Sequence, residues 1–208
     1  MALATYSDLQ TTAADYLNRA DITAVIPTFI TLAEAKFNRE LRTRDMLIRL
    51  AVSSTTEFFN VPTDFLETYE LELDMDGLAP QPPLQYIGPN EAKSLKANKV
   101  QNKVRYFTII GGQFELIPAP ATSGSALQLT YYAKIPALSG THTTNWLLTK
   151  SPDLYLYSAL LEATPYLKND ERLQVWAAAR QQVMDAMGIE SERGMRQRTQ
   201  LTARRRGF

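Results

Sequence analysis

Chemistry in this chain would have to rest on very few side chains. The one histidine, His142, lies in the run Gly140-Thr141-His142-Thr143-Thr144, and the 208 residues contain no cysteine. A Ser-His or Cys-His triad, or a histidine-based metal site, would therefore depend on a single imidazole in a turn-like loop. His142 reads as an ordinary loop residue. Gly111-Gly112 is the only glycine pair, but it lacks the further glycine and the helix of a dinucleotide fingerprint, and no Walker-type loop leads into Lys-Ser or Lys-Thr. Carboxylates are plentiful, yet acidic pairs occur in any globular chain and sequence does not give their separation. The expectation is a non-enzymatic protein with no catalytic residue, metal ligand or cofactor; a hydrolase built on unremarked carboxylates is the residual catalytic alternative.

Charge is the more informative chemistry. Lysine plus arginine and aspartate plus glutamate each number 22, so the chain is formally neutral. The last 19 residues, however, set Arg193, Arg196, Arg198, Arg204, Arg205 and Arg206 against Glu190 and Glu192, which makes this tail +4 and leaves the body −4. Such a split suits an arm that binds an acidic surface, and a solvated tail has the same look. A second basic run, Lys93, Lys96, Lys99, Lys103 and Arg105, holds no acid between its members. Aromatic residues for base stacking begin only at Tyr106, so a solvated helix and loop is the plainer reading and a nucleic-acid-binding module the sharper one. Arg39, Arg42 and Arg44, mixed with Glu34, Glu40 and Asp45, form a possible intersubunit face.

These groups must be carried by recognisable elements. Thr5, with Asp8 three residues on, starts a helix from about Ser7 to Arg19, and Pro27 suits the first turn of a second that runs to Leu41. From Leu47 the pattern becomes β-rich: Leu47–Val52, Glu57–Val61 and Phe65–Leu73, the last placing Tyr69, Leu71 and Leu73 on one face and Glu70, Glu72 and Asp74 on the other. A short helix from Pro89 to about Ala97 follows. Gly111-Gly112 then makes a two-residue hairpin between Arg105–Ile110 and Gln113–Pro118, and Ala126–Ala133 adds a third strand to complete a meander. Helices return at Asp153–Leu167, with a kink or early end expected at Pro165, and at Asn169–Met187.

The fold expected is α+β: an antiparallel helical bundle formed from both chain termini (1–46 and 151–188), an inserted antiparallel β-rich subdomain (47–150), and an extended basic C-terminal arm (189–208). No stretch approaches the roughly 20 apolar residues of a membrane span, and no export signal is read at the start. Absence of cysteine fits a reducing cytoplasm during synthesis.

Several runs carry a family resemblance. Thr5-Tyr6-Ser7-Asp8-Leu9, Ile26-Pro27-Thr28-Phe29-Ile30 and the stretch from Leu32-Ala33-Glu34-Ala35-Lys36-Phe37 to Asn38-Arg39-Glu40-Leu41-Arg42 resemble the N-terminal half of phage adaptor proteins. Gly112-Gln113-Phe114-Glu115-Leu116-Ile117-Pro118, Leu129-Thr130-Tyr131-Tyr132-Ala133, Asn145-Trp146-Leu147-Leu148 and Pro152 to Ala163 are similar to the head-to-tail adaptors that include the tail tubular A proteins of short-tailed phages. The resemblance covers most of residues 5 to 187 and leaves the Arg-rich tail unmatched. It implies a virion protein at the head-tail junction: a homo-oligomeric ring, usually a dodecamer, with its helical part toward the portal protein and its β-rich part toward the tail nozzle or other tail proteins. Genome DNA would pass through the lumen without sequence-specific binding, and no membrane is involved. The charge split adds the expectation that Arg193, Arg196, Arg198, Leu201, Arg204, Arg205, Arg206 and Phe208 form an arm contacting the portal or a neighbour.

Overall fold

Thr5 opens the first helix by a reciprocal cap. Its Oγ1 accepts from the Asp8 N–H at 3.2 Å while the Asp8 carboxylate accepts from the Thr5 N–H at 3.0 Å. A computed structural model describes residues 3–19, 21–73, 82–97, 103–120, 125–167 and 172–195. In chain order these form α1 (Tyr6–Leu17) and α2 (Ile26–Glu40), then β1 (Leu47–Ser54), β2 (Phe58–Asn60), β3 (Phe65–Leu73), β4 (Gln85–Tyr86), α3 (Pro89–Ala97), β5 (Tyr106–Ile110), β6 (Gln113–Ile117) and β7 (Ser125–Ala133). The chain ends with α4 (Trp146–Lys150), α5 (Pro152–Leu167) and α6 (Leu173–Met195). The architecture is mixed helix and sheet, as expected. Two compact units divide it: Met1–Asp45 with Ile135–Phe208, and Met46–Lys134.

In the helical unit α5 touches α1, α2, α4 and α6. Leu154, Tyr155, Leu156, Ser158, Ala159, Leu160 and Ala163 are all buried, so apolar groups surround this helix rather than forming one stripe. Phe37 meets Tyr155 edge-on at 5.1 Å, and Phe29 meets Tyr166 likewise at 5.9 Å. Pro165 does not end α5, which continues to Leu167; so near the C-terminus, few carbonyl–amide bonds are at stake. Arg172 ties α6 to α1 by donating to the Tyr16 carbonyl at 2.8 Å, and its guanidinium lies over Trp176.

Two boundaries differ from expectation. The segment from Ile135 to Lys150 belongs with the helices, not with the strands, because its backbone is hydrogen-bonded to them. Helix α6 runs through Gly188 to Met195 instead of stopping near Met187. A glycine inside a helix costs about 1 kcal/mol. Here Ser191, buried, accepts the Arg44 N–H at 3.0 Å, and Glu190 pairs with Lys150 at 2.9 Å, contacts that hold the extra turns in place.

The β unit holds two sheets, ordered β1-β7-β3 and β2-β6-β5-β4. Gly111 and Gly112, at φ 60° and 79°, make the expected two-residue turn between β5 and β6. The expected meander does not form: β7 joins β1 and β3 in the other sheet. Length decides this, since nine-residue β7 can satisfy its backbone along the eight residues of β1 and the nine of β3, whereas β6 offers five. β4 pairs in parallel with β5, so the region is not wholly antiparallel. Leu71, Leu127 and Leu129 from one sheet and Phe107, Phe114 and Leu116 from the other share one core. Tyr131 Oη donates to Asp64 at 3.0 Å, and burial, aided by that carboxylate, pushes its hydroxyl up to about 12.

Candidate functional site

The densest polar constellation lies inside the helical unit. Helix α2 points Glu34 inward beside Ile30, Ala33 and Phe37, because residues three and four apart share a helix face. The Glu34 carboxylate accepts from the Leu138 N–H at 2.8 Å and from Tyr155 Oη at 3.2 Å. Asn145 donates to Tyr155 Oη and to the Pro136 carbonyl, both at 2.7 Å, while its Oδ1 caps α4 by accepting from the Leu148 N–H at 2.8 Å. Asn38 on α2 accepts the Ile135 N–H at 2.9 Å.

This network fastens residues 135–150 to the helices. Glu34, Asn145 and Tyr155 are buried and linked by hydrogen bonds, Asn38 is half-buried, and the grooves of the β unit do not include them. Burial raises the Glu34 carboxyl above its ordinary 4.5, partly opposed by the two hydrogen bonds it accepts. A carboxyl so raised contributes stability that is fully present below pH 4.5 and is lost as pH rises through the folded-state value. Glutamine cannot ionise there. The stability of Glu34→Gln relative to the parent should therefore climb from about pH 4 and level off above the shifted value, measured by urea unfolding at a series of pH values up to about 8. A difference that stays flat across that window would refute the assignment.

The mixed face of α2 is largely engaged within its own unit. Lys36 pairs with Glu162, Glu40 with Arg180, and Asp45 with Lys150 at 2.7 Å. Arg42 caps the C-terminus of α2, donating to the Asn38 and Leu41 carbonyls at 3.0 and 2.6 Å. The Arg44 side chain lies against Gly194 of α6, where an added Cβ would run into its guanidinium. Arg39 and Arg44 are exposed and Arg42 is half-buried. Arg193 lies in the last turn of α6; Arg196, Arg198, Leu201, Arg204, Arg205, Arg206 and Phe208 fall outside the described residues.

The basic run is less positive than it reads. Lys96 pairs with Glu57 at 3.0 Å and with Glu115, and sits over the Phe58 ring at 5.3 Å, an arrangement of strand partners that sequence spacing does not reveal. Lys93, Lys103 and Arg105 are exposed, and Lys99 lies outside the described residues. His142 is exposed in a turn that its backbone closes with Ser139. Among the described residues no group of three His, Asp or Glu is placed to hold a metal.

A feature missed in the sequence is a groove of about 700 Å³ in the β unit, between edge strand β3 and the β4–β5 side. Phe65, Leu66, Phe107 and Ile109 line it, with Glu67 and Glu70 among its walls. Tyr69 and Tyr86, also in its lining, are 52% and 60% exposed. Tyr69 was expected on the inner face with Leu71. Two bulges in β3, at Leu66 and at Tyr69, shift the alternation, so Leu71 is fully buried while Tyr69 turns outward.

Among the described residues, the protein is a mixed helix-and-sheet fold whose buried polar groups brace segments of its own helical unit and whose β unit carries a groove. The family model for the SU10 adaptor protein matches residues 4–206, and the chain belongs to that family of phage head-to-tail adaptors. The match reaches the Arg-rich tail, which the motif resemblance left out. No curated protein matches the chain. No helix among the described residues is long and apolar enough to cross a membrane.

Proposed function

We propose that this protein is a structural adaptor at the head-tail junction of a tailed phage, forming a dodecameric ring that binds the portal on one side and a tail protein on the other. The observation that carries this reading is the family match over residues 4–206. Its lumen passes the genome without gripping it, because multiple phosphate contacts would obstruct ejection. Alone, the chain is monomeric or weakly associated, for it carries no long heptad seam that would force self-association. Electron microscopy of the purified protein with its portal tests this: a closed ring on the portal is expected. Light scattering that finds a tight dimer persisting on the portal would sink the proposal.

The Arg-rich tail acts in attachment. Because Ser191 and Glu190 are bonded within the helical unit, the informative truncation removes residues 196–208 and leaves α6 intact. The shortened chain should keep its helical signal and thermal midpoint yet attach poorly to the portal, and attachment of the full chain should weaken with salt as exposed arginine–carboxylate contacts are screened. Equal assembly by the two proteins on portals would show that the tail is not an arm.

A further inference from the structure

Two helices of the helical unit each carry an exposed stripe opposite their buried face. On α2 the buried residues Ile26, Ile30, Ala33 and Phe37 share one side, and Thr28, Leu32, Ala35 and Arg39, spaced four, three and four residues apart, are exposed on the other. On α6, Trp176, Met187 and Ser191 are buried, and Ala178, Gln182, Asp185 and Ile189 repeat the same spacing on the opposite side, also exposed. Helix faces left in water ordinarily carry charged and polar groups. Here Leu32 is 46% exposed, Ile189 52%, and Val175, beside the second stripe, 67%. Arg39 is the one charge in the first stripe, and Asp185 is the one exposed charge from Gln174 to Ile189.

The two stripes are complementary in charge and in size. With Arg39 set against Asp185 in a parallel pair, Leu32 falls opposite Ala178 and Thr28 opposite Gln174, a large side chain over a small one and every position within both helices. An antiparallel pair with the same ion pair would carry Thr28 past Met195, where α6 ends. The packing of the unit gives the same direction. α2 runs antiparallel to α5, since Phe29 meets Tyr166 and Phe37 meets Tyr155. α6 touches α5 and is separated from it by five residues, so it too returns antiparallel. Within one copy α2 and α6 therefore point the same way, and rotation about an axis along them brings α2 of one copy beside α6 of the next in parallel.

We propose that these stripes are the two halves of the contact between neighbouring copies: α2 of one packs in parallel on α6 of the next, with Arg39 on Asp185 and Leu32 over Ala178 beside Val175. This rests on the adaptor reading and deepens it by naming the two unlike surfaces that a closed ring requires of each subunit. Each stripe covers about 17 Å of helix. A contact that short does not hold an obligate oligomer by itself, which agrees with copies that associate only when gathered on a portal.

Because the chain has no cysteine, the contact can be read by a disulfide. Leu32→Cys and Ala178→Cys are made as separate full-length chains, loaded on portals singly and as an equal mixture, and oxidised with copper phenanthroline. Covalent dimers are expected from the mixture and from neither variant alone. Arg39→Glu in both chains should cut the dimer yield about five-fold, the effect of losing an exposed ion pair, and Asp185→Arg added to both should restore it. The same charge swap in the cysteine-free chain, read as ring yield by electron microscopy, should show the same loss and rescue. All four positions are exposed, so the thermal midpoint of the subunit should not move. Rings that form without mixed dimers, dimers from one variant alone, or a charge reversal without rescue overturn the inference and leave the adaptor reading standing. If the unsubstituted chain forms no ring on the portal, both fall.

Discussion

Phe114→Ala is expected to destabilise the β unit by about 3–5 kcal/mol, the usual range for removing a fully buried phenylalanine. Phe114 has no exposed surface and stacks on Phe59 with centroids 4.7 Å apart and planes 3° from parallel. Phe65 meets it edge-on at 5.6 Å, and Phe107 lies at 5.9 Å. Three rings on two sheets would thus lose their common neighbour, and their own strands restrain them from closing the gap. Phe114→Leu keeps most of the volume and should cost less than about 1.5 kcal/mol. Urea unfolding of the two variants measures the contrast; equal losses would mean that the site collapses around alanine and that Phe114 is not the centre of this core.

Glu34→Ala should cost about 2–4 kcal/mol for a different reason. The Leu138 N–H and Tyr155 hydroxyl would be left in the interior without their acceptor, each worth about 1–3 kcal/mol, while relief of a buried carboxylate returns part of that. Glu34→Gln retains an oxygen able to accept both and should stay within about 1 kcal/mol of the parent at acidic pH. The location of the damage is as diagnostic as its size. Hydrogen exchange in Glu34→Ala should rise first in residues 135–150, which the network fastens to α2 and α5. Uniformly faster exchange across the helical unit, with residues 135–150 no different from α1, would show that the network is not a local fastening.

Much of the local structure was written in short-range chemistry. The Thr5–Asp8 box, Pro27 in the first turn of α2 and the Gly111-Gly112 turn each act over two to four residues, so their outcomes follow from residue type and spacing. The family was equally legible, from runs that only gain meaning as an ordered set. Of the candidate contact residues, the sequence marked the arginines but not their neighbours. Arg42 and Arg44 face their own unit because the Asn38 and Leu41 carbonyls and Gly194 happen to lie within reach.

Other features depended on groups far apart in the chain. That Glu34 is buried follows from Leu138 and Tyr155, more than a hundred residues away, offering two donors to a carboxylate that its local pattern would have left in water. That α6 continues past Gly188 follows from Ser191 meeting Arg44 across 147 residues. Strand partners are decided in the same way: the alternation of β7 suits either sheet, and only the long strands β1 and β3 satisfy its backbone on both sides. The bulges that turn Tyr69 outward arise from fitting β3 to β7, so sequence by itself determined most of the elements, the charge split and the family, while tertiary structure decided the strand pairing, the buried acid and the groove.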